Sequence, residues 1–292
     1  MNSIAKITMG AINERITFWI NSNHILNEFQ AGFRKGYSTV DNLYNLTTIV
    51  HIKFSEKKKV YAFFVDFSAA FDRIPRKLLI YKLYRIGLSN KIINFIDKVY
   101  EDTKSAVWTG KELSRYFETR TGVKQGCLLS PIMFALYLND LHEYLGGGLS
   151  IDDINIRVLM YADDIVILAD DVNILQDMIY KLEQYCREWA MEVNLTKSEI
   201  MVFRKGGRLG TNERWTFNGE NVRIVNEYKY LGMLLTPTIS FTKHVNNRNS
   251  AAKTSLNVTW KNFIGKREVS LVAKWKMFLA VCRSMQSYGS QI

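Results

Sequence analysis

Residues 158–170, VLMYADDIVILAD, set two adjacent carboxylates, Asp163 and Asp164, between two short apolar runs. The flanks, Arg157 to Met160 and Ile165 to Ala169, are rich in β-branched residues, which favour strands. The expected unit is a β-hairpin with Tyr161-Ala162-Asp163-Asp164 at its tip. Adjacent acids between core strands cost stability unless something pairs with them. A hard divalent cation suits carboxylate oxygen. A solvated turn suits Asp as well, so the hairpin alone leaves both readings open.

Asp66 is the second anomaly. It lies near the end of Val60 to Phe67 (VYAFFVDF), a nearly continuous apolar run with the pattern of a buried strand. A lone acid in such a run is costly unless it is ligated or hydrogen-bonded. If this strand neighbours the hairpin, the carboxylates converge. Two divalent ions held there would activate a 3′-hydroxyl and stabilise the attacking and leaving oxygens of a phosphoryl transfer. Consecutive strand residues point to opposite faces, so Asp163 and Asp164 are not equivalent. Asp66 and Asp163 are the expected principal ligands, with Asp164 supporting.

The rest of the chain alternates helical and extended patterns. Met1 to Ile25 and Thr39 to Phe54 read as helices around a basic, glycine-containing loop, Asn27 to Ser38. Such a loop can lay N–H groups and cations against phosphate, and a plain turn is the simpler reading. Ile74-Pro75 opens a helix that Gly87 closes, and a helix over Asn90 to Tyr100 follows. Ser105–Trp108 and Leu113–Arg120 read as paired strands around Thr109-Gly110. After the polar loop Thr121 to Pro131, one helix is expected from Ser130 to near Gly146. An amphipathic helix, Asn173 to Trp189, precedes a strand at Ser198–Phe203. A hairpin turning at Asn218-Gly219 and one strand, Tyr228 to Leu235, come next. Two basic amphipathic helices, Phe241 to Phe263 and Val269 to Met285, finish the chain. This is an α+β pattern suited to an antiparallel sheet. No GxGxxG or GxxxxGK[ST] motif occurs in a βαβ series, which argues against a dinucleotide or P-loop enzyme.

At 292 residues the chain can form one large or two modest domains. Its net charge of +11 is uneven: Phe241 to Ile292 holds nine Lys or Arg and one acid, Glu268. With Trp260, Phe263, Trp275 and Phe278 embedded, that block suits a nucleic-acid backbone. A solvated helix face would look the same. Cys127, Cys186 and Cys282 match no zinc spacing or disulfide framework. They point to a reducing, intracellular setting, nucleus or cytoplasm undetermined. No apolar run is long enough to span a bilayer, and no signal-peptide core stands at the N-terminus.

The stretches FFVDFSAAFDRI, TGVKQGCLLSP, LMYADDIVILA, LTKSEIMVF and YKYLGMLL together resemble, in order and spacing, the successive motifs of reverse transcriptases of the non-LTR (LINE-type, jockey-like) retrotransposon branch. QAGFRKGYSTVDNL resembles the fingers motif upstream of them. The resemblance covers nearly the whole chain. It implies a right-hand polymerase with partial fingers (1–59), a palm (60–235) carrying a fingers insertion at about 73–124, and a partial helical thumb (236–292). It implies an RNA-directed DNA polymerase using two Mg²⁺ ions, or Mn²⁺, with an RNA template, a DNA primer and dNTPs as partners and no membrane. By the same resemblance Asp66, Asp163 and Asp164 are the catalytic, metal-binding acids. Phe71 resembles a steric gate against a ribose 2′-hydroxyl. Gln125 and Gly126 resemble the residues that position the incoming nucleotide. Tyr161 resembles the aromatic beneath the primer end, and Tyr230, Leu231 and Gly232 resemble the primer grip. Lys197 resembles a lysine near the departing pyrophosphate, where it would act as a general acid. Arg34 and Lys35 resemble fingers cations near the triphosphate. Asp72 is expected in a structural salt bridge.

Against the family pattern, the chain begins inside the fingers and its thumb is short. A nicking endonuclease would have to come from a missing domain or another protein. The alternative is a truncated, catalytically inactive retroelement relic that only binds RNA or RNA–DNA duplex. A group II intron-type maturase would add a basic extension after the thumb, which this sequence does not show.

Overall fold

The computed structural model describes residues 3–101 and 103–292. The chain opens with α1 (Ser3–Ser22) and α2 (Thr39–Ser55), followed by β1 (Val60–Val65). A helical turn α3 (Ala70–Arg73) leads into α4 (Arg76–Arg85) and α5 (Asn90–Tyr100). Short strands β2 (Lys104–Ser105) and β3 (Phe117–Glu118) precede α6 (Ser130–Tyr137) and α7 (Leu141–Leu145). Then come β4 (Leu149–Ile151), β5 (Ile154–Ile156), β6 (Val158–Tyr161), β7 (Asp164–Ala169), α8 (Val172–Glu188) and β8 (Glu199–Phe203). Four short strands follow, β9 (Thr216–Phe217), β10 (Glu220–Asn221), β11 (Arg223–Ile224) and β12 (Tyr228–Tyr230), with β13 (Met233–Leu235) after them. The chain closes with α9 (Thr242–Thr259), α10 (Leu271–Phe278) and α11 (Ser284–Ser287), and a π-helical turn precedes each of the last two.

The core is a five-stranded sheet in the order β11-β8-β1-β7-β6. β1 lies at its centre, and all six of its residues are buried. Alternate residues enter two different cores. Tyr61, Phe63 and Val65 face α4, α5, α6 and α8, whereas Val60, Ala62 and Phe64 face α2 and the β12–β13 pair. A strand buried on both faces must be apolar at every position, which explains the unbroken VYAFFV run. The sheet is antiparallel except at its edge, where β11 pairs parallel with β8.

Several expectations need correction. Of the helix expected from Met1 to Ile25, Met1 and Asn2 lie outside the described residues, and the observed helix ends at Ser22. The helix expected from Ser130 to Gly146 is broken after Tyr137. The Tyr137 carbonyl is taken by Lys82 Nζ at 2.6 Å and by the Tyr185 hydroxyl at 3.2 Å, so it is not left to the helical ladder. The single strand expected over Tyr228–Leu235 is a hairpin. Leu231 (φ +44°) and Gly232 (φ +80°) both adopt the left-handed conformation that a tight two-residue turn demands. The β4–β5 hairpin had no forecast.

Lys82 organises the helical side of the sheet. It is 4% exposed, and its ammonium also donates to Asp140 Oδ1 (2.6 Å) and to the Tyr185 hydroxyl (2.8 Å). It sits 3.8 Å from the centre of the Trp189 ring, a cation–π contact in a dry setting. Burial outweighs the Asp140 charge and lowers its pKa to about 8. A folded pKa below the unfolded one means that the unfolded chain binds more protons between the two values. Stability from this group therefore rises with pH across that window. Urea denaturation is expected to show the native protein gaining on Lys82→Met by on the order of 1 kcal/mol per pH unit from about pH 8 to about pH 10. A difference that stays flat across that range would contradict the role given to Lys82.

Candidate active site

Asp66 directly follows β1, and its backbone is held on two sides. Its N–H donates to Ser198 Oγ at 3.0 Å, and its carbonyl accepts from Asn194 N–H at 2.8 Å. The antiparallel register pairs Val65 with Ile165. One step further along the same register sets Asp66 opposite Asp164. Paired residues share a face, so these two carboxylates stand on the face of Val60, Ala62 and Phe64. The turn of the β6–β7 hairpin is Ala162-Asp163, closed by the pair Tyr161↔Asp164. The hairpin expected from the sequence is therefore present with its acids at the tip.

That turn is strained and is braced from behind. Ala162 has φ +60°, a conformation that glycine usually takes in two-residue hairpins. Phe29 to Ala31 runs beside β6: Met160 N–H donates to the Phe29 carbonyl (2.8 Å), and Ala31 N–H to the Met160 carbonyl (2.9 Å). Gln30 is fully buried, and its Oε1 accepts from both Gly32 N–H (2.8 Å) and Ala162 N–H (3.1 Å). Gly32 packs so closely that a Cβ there would lie 2.1 Å from the Ala162 nitrogen. Gln30 and Gly32 belong to the QAGFR stretch, whose sequence gave no sign of this contact with the hairpin.

In front of the turn lies a groove of about 500 Å³ lined by Asp66, Phe71, Asp72, Gln125, Asp163 and Lys197, among others. Phe71 stacks on Phe134 with ring centroids 4.5 Å apart and meets Phe33 edge-on at 6.2 Å. Gln125 Nε2 donates to both carboxylate oxygens of Asp72, at 3.0 and 3.1 Å. Asp72 therefore braces Gln125, and the salt bridge expected for it is absent among the described residues. Lys197 Nζ is 4.0 Å from Asp66 Oδ2, with both side chains open to solvent. Gly126 has φ +76° and open space around it.

The remaining candidates are not among the residues that line this groove. Tyr161 is half-buried at the hairpin. Tyr230, Leu231 and Gly232 form the β12–β13 turn, where the Tyr288 hydroxyl donates to the Leu231 carbonyl and Arg248 donates to the Gly232 carbonyl at 2.6 Å. Arg34 is engaged locally: it donates to the carbonyls of Asn27 (3.0 Å) and Gln30 (3.3 Å) and lies over Tyr37. Lys35 is exposed. Neither lines the groove of the acids.

Negative charge is concentrated at the sheet end. Burial, then the neighbouring Asp163 and Asp66 charges, push the Asp164 carboxyl up to about 6. By surface area Asp164 is exposed, yet enough protein surrounds its carboxyl for desolvation to lead. Tyr228, stacked on Phe64 at 4.2 Å, is pushed up to about 12 by burial and then by Asp164 and Asp66. Carboxylate oxygens under mutual repulsion are the donor chemistry of a hard divalent cation. Asp66 and Asp163 fit one in kind. Among the described residues, no three His, Cys, Asp or Glu side chains are gathered closely enough to hold a metal ion unaided.

The family described as Reverse transcriptase (RNA-dependent DNA polymerase) matches residues 1–235. The chain is 24% identical over 297 residues to the RNA-directed DNA polymerase from mobile element jockey of Drosophila melanogaster, covering 99% of this chain and 32% of that protein. It is 25% identical over 308 residues to the probable RNA-directed DNA polymerase from transposon X-element of the same species, again covering 99% of this chain and 32% of the relative. It thus spans about a third of the length of these relatives. Among solved structures, telomerase from Candida tropicalis in complex with a TWJ fragment of telomeric RNA superposes with a TM-score of 0.58. That match has 14% identity and covers 97% of this chain and 47% of telomerase, a likeness of fold.

The brace behind the hairpin is open to a direct check. Gly32→Ala forces a Cβ onto the Ala162 backbone and is expected to destabilise by about 1–3 kcal/mol. Ala162→Gly relieves the positive φ and is expected to stabilise by roughly 1 kcal/mol. Urea denaturation reads both, and equal stabilities would contradict the packing described.

Proposed function

The chain belongs to the reverse transcriptase (RNA-dependent DNA polymerase) family, and we propose that it is the polymerase portion of a non-LTR retroelement protein, extending a DNA primer on an RNA template. The observation that carries this reading is convergence. Asp66 and Phe71, Gln125, Asp163 and Lys197 come from four separate stretches and line one groove. A structural α+β protein has no need to bring these residue types together at an open sheet end.

In this reading residues 1–59 are partial fingers, 60–235 a palm with a fingers insertion at about 73–124, and 236–292 a partial thumb. Asp66 and Asp163 are the side chains that would hold two Mg²⁺ ions, or Mn²⁺ in their place, with Asp164 supporting. Bound there, the ions would supply activation of the primer 3′-hydroxyl and stabilisation of charge on the attacking and leaving oxygens. The protein's own residues do the positioning. Gln125, oriented by Asp72, and Gly126, whose surroundings are open, receive the incoming dNTP. Phe71, held by its stack on Phe134, stands where an added 2′-hydroxyl would meet a rigid ring. Lys197 supplies a proton to the departing pyrophosphate. Tyr161 and the turn at Tyr230, Leu231 and Gly232 support the primer end. Arg34 and Lys35 are second-rank contacts to the triphosphate, since Arg34 already serves its own loop.

Primer extension on an RNA template with Mg²⁺ and dNTPs tests this. Extension is expected from the native chain, and Asp163→Ala is expected to lose at least about a hundredfold in rate, the equivalent of about 3 kcal/mol. A native chain that shifts a primer–template duplex in a salt-dependent way but never extends it would overturn the catalytic reading in favour of a binding relic. Phe71→Ala is expected to reduce discrimination against ribonucleotides by on the order of tenfold. Unchanged selectivity would remove Phe71 from the gate.

A further inference from the structure

At the end of β1 opposite Asp66, two basic segments far apart in sequence meet. Lys57, Lys58 and Lys59 lie between α2 and β1. Arg204 and Lys205 follow β8, the antiparallel neighbour of β1. With Phe54 and Gly206 they line a groove of about 300 Å³ that has no acidic side chain in its wall. Two carboxylates lie beside it. Glu56 is 3.2 Å from Lys58 and is shared with Lys53, and Glu213 is 2.6 Å from Lys59. The other three cations have no carboxylate partner among the described residues. Arg204 is held in place by carbonyls instead, those of Val202 (3.1 Å) and Gly207 (3.2 Å). Lys205 lies over the Phe54 ring. The groove thus keeps its positive charge and fixes part of its geometry.

Lys57 sharpens the point. Lys57 N–H bonds the Phe54 carbonyl (3.2 Å) and Lys58 N–H the Lys53 carbonyl (2.9 Å), which is the hydrogen-bond pattern of a Schellman cap. Lys57 occupies its left-handed position at φ +60°. Glycine is the residue that suits this position without strain. A lysine there carries a local cost and adds a cation to a site already crowded with them.

We propose that this groove is a second nucleic-acid contact, which grips single-stranded RNA by its phosphodiester backbone outside the catalytic cleft. The choice of RNA rests on the polymerase reading above. The groove lies one strand length from Asp66, roughly 20 Å for six residues, so one RNA can reach both sites. Phosphate suits the wall because three of its five cations, Lys57, Arg204 and Lys205, have no carboxylate partner among the described residues and no acidic side chain lines it. A flat membrane surface suits it poorly. The cations line a concavity, and the one apolar side chain, Phe54, is buried beneath Lys205.

The test compares the full chain with Lys57→Gly/Lys58→Gln/Lys205→Gln by fluorescence anisotropy on an oligouridylate of about 30 nucleotides, longer than one single-strand footprint, over a range of salt concentrations. The triple variant is expected to bind about tenfold more weakly, with the slope of log K against log salt smaller by about two. Lys57→Gly alone is expected to weaken RNA binding while leaving the melting temperature equal or higher, because glycine suits that backbone. This separates loss of contact from loss of fold. Equal RNA affinity and equal slope in parent and triple variant would overturn the groove. So would binding to phosphatidylserine vesicles that depends on these lysines while RNA binding does not. A short primer–template duplex serves as the reference for the cleft. If RNA capture depends on the groove but no duplex is bound, the groove stands and the polymerase reading falls.

Discussion

The antiparallel pairing of β1 with β7, Val65 opposite Ile165, is the constraint on which the site depends. A one-residue slip would move every side chain of β1 to the other face. Because β1 is buried on both faces, such a slip would exchange two differently shaped cores, with Phe63 and Phe64 changing places. The register is therefore held by the whole sheet, and the sheet in turn fixes where Asp66 stands relative to the hairpin. Ser198 and Asn194, from the segment leading into β8, finish the placement by binding the Asp66 backbone. The geometry of the candidate site at this end of the sheet is a consequence of core packing along its length.

The same sheet end concentrates unfavourable features. Three carboxylates lie near one another, Asp164 is pushed up to about 6, and Ala162 carries a positive φ. Strain of this kind persists where the surroundings over-determine it. Here the surroundings are Gln30 and Gly32, which hold the Ala162 nitrogen from behind, and the Phe64–Tyr228 stack, which lies beside Asp66 and Asp164. Charge repulsion and backbone strain are thus borne by a rigid neighbourhood, the arrangement expected of a site whose side chains must act on something external.

Much of this was legible in the sequence, for local reasons. Alternation and β-branching mark β6 and β7, the unbroken apolar run marks β1, and an acid at the end of that run is conspicuous. The order of motifs supplied the family and the groove residues. What stayed hidden depends on partners distant in the chain. Gln30 reads as an ordinary polar residue until Met160 and Ala162 are beside it. Lys82 reads as a surface lysine of α4, yet Tyr137, Tyr185, Trp189 and Asp140 enclose it, and its grip on the Tyr137 carbonyl breaks a helix that local pattern continues. Asp72 was expected against a cation and instead braces Gln125. The hairpin at 228–235 was masked because its turn is only Leu231-Gly232, and leucine is a poor signal for a left-handed position.

The central claim is that Asp66 and Asp163, almost a hundred residues apart, act as one ligand set. Electron paramagnetic resonance titration with Mn²⁺ addresses it without reference to turnover. Asp66→Asn and Asp163→Asn are each expected to weaken the tightest Mn²⁺ site by at least about tenfold, and the double variant to be little weaker than either single one, the non-additivity of a shared site. Losses that simply add, or an unchanged Mn²⁺ affinity in either single variant, would contradict a common site at the end of β1.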